Sequence, residues 1–220
     1  MPFMWYRLLA KILFESSNPE HLCVHTFLVL DWNLVSRSKY VVNSRFDLIL
    51  FKNNSLLFDM GPTKTDQDGT RNVDHPWHVY GCLKYPEICP QLSFARLIMA
   101  NPLIANGRKA ILEGGSQYDR FNSIFRGIVG CKEWCGTFAS LGITPADFGT
   151  PSIQKGAATH MTTGSTACPP ITSICLRANW VMPGVLNRYI RYENAGDQFV
   201  GKCVSGRSRK SEEFVVSPLY

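Results

Sequence analysis

The chain has 220 residues, 45% of them hydrophobic and 18% charged, which is length enough for one domain with a real core and excludes a disordered or low-complexity chain. A formal charge of +6 and a pI near 8.9 suit an anionic partner without demanding one. Pro2 to Phe14 has helical spacing, with Phe3, Leu8, Leu9, Ile12 and Leu13 on one broad face and Pro2 suited to a first turn. Asn18-Pro19 starts a second helix, Asn18 as N-cap and Pro19 at the first position. That helix runs through Leu22, Phe27, Leu30 and Leu34, is apolar on most sides, and delivers Arg37 at or just past its end.

The period then changes. Arg45–Phe51 and Ser55–Met60, separated by Lys52-Asn53-Asn54, read as a β-hairpin, and Gly61–Gly69 as a polar turn carrying Lys64. His78–Tyr80 adds a third short strand. Leu92–Met99 is helical and stops at Asn101-Pro102. Gln117–Val129 is helical with Tyr118, Phe121, Ile124, Phe125 and Ile128 on one face, whereas Cys131–Asp147 is loop-like with one helical turn. A helix dense in small residues starts in Gly149-Thr150-Pro151-Ser152-Ile153-Gln154-Lys155-Gly156-Ala157-Ala158-Thr159 and breaks at Thr163-Gly164. Pro169-Pro170 leads to a helix ending near Arg177, and Gly184 starts one holding Tyr189. Residues 1–200 form the expected domain. Residues 201–220, with the basic cluster Arg207-Ser208-Arg209-Lys210, form a tail, partly disordered or docking on a partner. The fold class expected is mainly α with a small antiparallel β-hairpin sheet.

Eight cysteines are scattered, mostly inside apolar runs where a thiol packs as a small hydrophobe. Only Cys131 and Cys135 are close, and no second pair at zinc spacing follows, so a reduced intracellular protein, without zinc, is expected. The apolar N-terminus is interrupted by Arg7 and Lys11 with no small-residue cleavage site after it, and no run approaches the roughly 18 apolar residues of a membrane helix. A soluble chain with neither signal peptide nor membrane partner is expected.

The segment with chemical content is Trp180 to Tyr192, where Tyr189 follows Trp180 by nine residues and is flanked by Arg188 and Arg191. Alone, it reads as an ordinary amphipathic helix, with Trp180 and Tyr189 in the core and the arginines in water, sooner than as a nucleophilic phenol held against a phosphate. Arg37 alone reads as a helix-end arginine, and Lys64 as an exposed turn lysine. Taken in order, however, these landmarks resemble the catalytic domain of the tyrosine recombinases, the phage-integrase-like enzymes, in the branch carried by eukaryotic mobile elements. The stretches that carry the resemblance span nearly the whole chain: HTFLVLDWNLVSRS, TKTDQDG, PWHVYG, PEICP, GSQYDRF, SIQKGAAT, SICLRANW and NRYIRYENAGDQFVGK.

The resemblance implies a role for each matching residue. Arg37 matches the first catalytic arginine, Lys64 the hairpin lysine, Trp180 the His-or-Trp position and Tyr189 the nucleophile. Tyr192, near the same helical face, competes with Tyr189 for that role. The family's H-x-x-R box leading into K-G-A-A-T reads here Pro151-Ser152-Ile153-Gln154, so its His and second Arg are both missing. Arg177, Arg188, Arg191 and Lys155 are candidate phosphate contacts, with a solvated helix face as the alternative for the arginines.

In the family's reaction a tyrosine hydroxyl attacks a DNA phosphodiester, leaving a 3′-phosphotyrosine and a free 5′-hydroxyl, with no metal or cofactor needed. Two arginines clamp the charge that builds on the phosphate, a lysine protonates the leaving oxygen, and an indole N–H donates to a phosphate oxygen. Losing one such donor costs ~3–4 kcal/mol, or about 10²–10³ in rate, so strand cleavage is expected to be impaired. The partners implied are double-stranded DNA and further copies of the chain on DNA, in the nucleus or elsewhere inside the cell. The helical DNA-gripping domain that precedes the catalytic domain in this family is not expected in the chain, so binding should be weaker and strongly salt-dependent. Two other classes fit the same residues: a non-catalytic DNA-binding remnant or domesticated protein, and a helical protein-interaction module.

Overall fold

The computed structural model describes residues 1–59, 76–101, 110–112, 114–164, 168–180 and 194–207. Its helices are α1 (Phe3–Glu15), α2 (Pro19–Leu34), α3 (Ser38–Val42), α4 (Pro90–Ala100), α5 (Gln117–Gly130), α6 (Cys135–Ser140), α7 (Thr150–Thr163), α8 (Ile171–Arg177) and α9 (Asn194–Val204). Strands β1 (Ile49–Lys52), β2 (Ser55–Phe58) and β3 (Trp77–Tyr80) form one antiparallel sheet in the order β1-β2-β3. Mainly helical with a small antiparallel sheet is therefore the observed class. Among the described residues no helix is long and apolar enough to cross a membrane.

Helix α2 is the axis of the molecule. The Asn18 side chain accepts from the Glu20 N–H at 2.9 Å and Pro19 occupies the first turn, satisfying an end that would otherwise leave N–H groups unpaired. From Val24 to Leu34 every residue is buried, because α1, α4 and α7 pack around it. Trp32 stacks on Tyr6 of α1 at 4.1 Å between ring centroids, and Phe27 stacks on Phe121 of α5 at 3.9 Å. The small residues of α7 do what their size allows: Gly156, Ala157 and Ala158 are buried, and a Cβ on Gly156 would run into the Met1 carbonyl.

Asn53 and Asn54 both take left-handed backbone angles, φ 52° and 57°, which matches the turn twist a two-residue hairpin requires. The register pairs Ile49 with Phe58 and Lys52 with Ser55, then Ser55 with Tyr80 and Phe58 with Trp77. The first strand is shorter than expected, since Phe46–Leu48 is a 3₁₀ turn. The stretch Cys131–Asp147 is more ordered than a loop, holding α6 and a 3₁₀ turn at Pro145–Asp147.

A boundary at residue 200 falls inside α9, and Gly201 to Ser205 are buried. Gly201 does not terminate the domain. It lets α9 lie against β3, where a Cβ would collide with the His78 carbonyl oxygen. The rest of the expected tail, residues 208–220, and the expected helix from Gly184 lie outside the described residues.

His25, fully buried on α2, sets a pH dependence. Its Nε2 lies 2.8 Å from the Glu87 carbonyl oxygen and its Nδ1 2.8 Å from Ser93 Oγ. A carbonyl only accepts, so Nε2 carries the proton and Nδ1 accepts from the serine hydroxyl. Burial, with Arg96 adding a smaller push and the Glu87 bond opposing it, lowers the pKa to about 4. The unfolded chain takes up this proton near pH 6.5 and the native one only near 4, so stability is full above pH 6.5 and falls as the pH drops to 4. Across that window the loss is about 3 kcal/mol. Urea unfolding at pH 7 and 4.5 should show a markedly smaller acid loss for His25→Gln than for the native chain. Equal losses would mean that His25 is protonated in both states. The comparison between variants matters because Asp31, whose pKa burial raises, acts in the opposite direction.

Candidate functional site

The end of α2 builds the site. Val35 takes a left-handed conformation, φ 53°, unusual for a β-branched residue and held only where the surroundings impose it. The turn carries the chain to Arg37, the N-cap of α3. From the other half of the chain, α7 begins against this turn: Gln154 Nε2 donates to the Val35 carbonyl at 3.0 Å, across 119 residues of sequence. Ser38 ties the two together, its hydroxyl 2.7 Å from Asp31 Oδ2 and 3.3 Å from the Thr150 carbonyl.

Between them lies a hollow of about 370 Å³ lined by Arg37, Ser38, Lys39, Tyr118, Thr150, Pro151 and Gln154. Arg37 and both box positions thus meet in one place. Arg37, Lys39 and Pro151 are exposed and Gln154 is half-buried. Among the described residues the Arg37 guanidinium has no hydrogen-bond or ion-pair partner. Among the described residues the lining carries two cations, Arg37 and Lys39, and no carboxylate. Behind Ser38 lies Asp31, fully buried, and burial raises its carboxyl well above the usual range despite the Ser38 hydrogen bond. Asp31 Oδ1 has no hydrogen-bond partner.

Pro151 sits in the first turn of α7, where its missing N–H is not needed. Gln154 is one turn on, on the same face, and its amide is committed to the strained Val35 turn. Gln154 thus serves as a backbone clamp.

Trp180 does not line this hollow. It ends the α8 segment in a Schellman turn: Trp180 N–H donates to Cys175 O at 2.9 Å and Asn179 N–H to Leu176 O at 3.1 Å, with Asn179 at φ 54°. The indole is 38% exposed, so it is not the core residue its size alone suggests. Lys155, although adjacent to Gln154, faces a separate hollow of about 360 Å³ with Phe3, Thr159 and His160. Lys64, Tyr189, Tyr192, Arg188 and Arg191 lie outside the described residues.

Arg177 sits neither at a phosphate nor on a solvated helix face, the two places expected of it, because its side chain is fully buried. Its guanidinium pairs with the Asp197 carboxylate and donates to the Asn33 carbonyl at 2.9 Å and the His78 carbonyl at 2.8 Å. The other Asp197 oxygen accepts from the His78 N–H at 2.8 Å and lies 3.0 Å from His78 Nδ1, while Trp77 Nε1 donates to the Arg177 carbonyl at 2.8 Å. Burial pushes the Asp197 carboxyl up, but the Arg177 charge and the His78 hydrogen bonds outweigh it and leave the pKa below the usual value. This node joins α2, β3, α8 and α9. An arginine so enclosed cannot reach a nucleic acid. Sequence spacing contains no sign of it, nor of Lys39.

The chain matches no family model, no curated protein and no solved structure.

Proposed function

We propose that this protein is a DNA-binding relative of the tyrosine recombinases, of mobile-element origin, whose strand-cleavage chemistry is impaired. It grips the phosphate backbone of double-stranded DNA as more than one copy, with Arg37 as the phosphate ligand that remains from the catalytic set. By the resemblance, Lys64 and Tyr189 take the roles of leaving-group acid and nucleophile, and Trp180, which does not line the hollow, that of a further phosphate donor. The single observation that supports this most is the convergence of Arg37, Pro151 and Gln154 on one cationic hollow, the pairing that the resemblance predicts for residues from opposite halves of the chain.

The same observation argues for impairment. A proline offers the phosphate no donor, and a glutamine tied to Val35 offers no charge. Both reduce the electrostatic stabilisation that a pentavalent phosphate needs. A DNA-binding protein without cleavage is therefore favoured over a working recombinase.

The test is a salt titration of binding to a duplex of about 30 base pairs, a length that spans a few helical turns. Affinity should fall steeply with salt, and Arg37→Gln should weaken binding while lowering the slope of log K against log salt by about one. No affinity at about 50 mM salt, where such contacts are strong, would favour a helical interaction module instead.

A further inference from the structure

The hollow contains a second cation that the recombinase resemblance does not assign. Lys39 lines it together with Arg37, Pro151 and Gln154, on the first turn of α3 and opposite the start of α7. The ammonium lies 4.8 Å from the Tyr40 ring centroid, a contact with an aromatic face that is compatible with a free charge at the rim. Lys39 forms no ion pair among the described residues.

Its position matters because Gln154 brings no charge to the hollow from α7, and among the described residues no carboxylate lines the hollow to oppose one. Behind it, Asp31 is fully buried and accepts from the Ser38 hydroxyl. A phosphodiester held by Arg37 would accordingly meet its second cation at Lys39.

Resting on the function proposed above, we infer that Lys39 replaces the missing second arginine as a phosphate ligand, so that the hollow binds a DNA phosphodiester between Arg37 and Lys39. Lysine is a compact point charge and not a planar fork. It attracts the ground-state phosphate but cannot offer the paired, fixed donors that follow the geometry of the transition state. The substitution maintains DNA affinity while leaving cleavage weak.

The experiment measures duplex binding by salt titration for the native chain, Lys39→Gln, Lys39→Arg and the exposed Lys132→Gln as a control, each checked for an unchanged thermal unfolding transition. Lys39→Gln should weaken binding roughly tenfold, the size of one charge-assisted hydrogen bond, and lower the salt slope by about one. Lys39→Arg should retain affinity, and Lys132→Gln should change it less than Lys39→Gln does. Placing Lys39→Gln in a Gln154→Arg background should shrink its effect, because the restored arginine then supplies the second charge.

Native binding with Lys39→Gln no different from Lys132→Gln would overturn the role of Lys39 while leaving the DNA-binding proposal standing. An equal loss from Lys39→Gln in both backgrounds would overturn the replacement of the second arginine by Lys39. No binding by the native chain at low salt would remove both proposals together.

Discussion

Replacing Arg177 with Met is expected to lower the unfolding free energy by about 3–5 kcal/mol, the cost of leaving a buried charge without its partner. The substitution strands the Asp197 carboxylate, fully enclosed in α9, and removes donors from the carbonyls of Asn33 and His78. Urea unfolding reads the loss directly. Since a domain of this kind has only about 5–15 kcal/mol of stability, that loss is a large fraction of the whole, and a second variant keeps the test decisive. Adding Asp197→Asn removes the unpaired charge while retaining an oxygen for the His78 N–H. The double variant should recover at least about 1 kcal/mol, the coupling expected of residues in one network. A loss below about 1 kcal/mol for Arg177→Met, the range of an exposed ion pair, would mean that Arg177 is not the central tie of the fold.

The largest effect on chemistry is expected from rebuilding the box. Pro151→His and Gln154→Arg together should raise covalent trapping on a nicked duplex by about 10²-fold or more, since a single preorganised donor is worth that much. The fold is suited to receive both. Position 151 lies in a first helical turn that does not depend on proline, and position 154 faces the hollow from the same side. An arginine at 154 has donors enough to keep the Val35 carbonyl satisfied while presenting charge to the phosphate. Tyr189→Phe in the rebuilt chain should abolish the adduct, whereas Tyr192→Phe should leave it. A rebuilt box that traps no DNA would mean that more than the two box residues has been lost.

Much of the frame is legible in the sequence because its causes are local. Asn18 and Pro19 mark a helix start through hydrogen-bonding and backbone constraints that act within one turn, and the paired Asn53-Asn54 marks a hairpin through its tolerance of left-handed angles. The site was legible only through resemblance and order. No periodicity links Arg37 to Pro151 and Gln154, because tertiary packing of α7 on α2 brings them together.

What remained hidden is of the same long-range kind. A solvated arginine and a core arginine look alike in sequence, and only partners far apart in the chain, His78 and Asp197 separated by 119 residues, mark Arg177 as enclosed. Gly201 looked like the end of a domain, whereas close approach to β3 explains it. Lys39 sits two residues from Arg37 with no spacing rule to single it out, and only the shared hollow does so. Asp31 gives no signal either, since a carboxylate in an apolar helix carries no mark of whether it will be buried.

On the proposed function, this chain retains a grip on DNA phosphate and has lost most of the chemistry. One nicked-duplex incubation with the native chain tests both halves, read on a native gel for retention and on a denaturing gel for a covalent adduct. Retention that fades with salt, with no adduct surviving denaturation, is the predicted result. An adduct formed by the native chain and lost in Tyr189→Phe, or no retention at low salt, would contradict it.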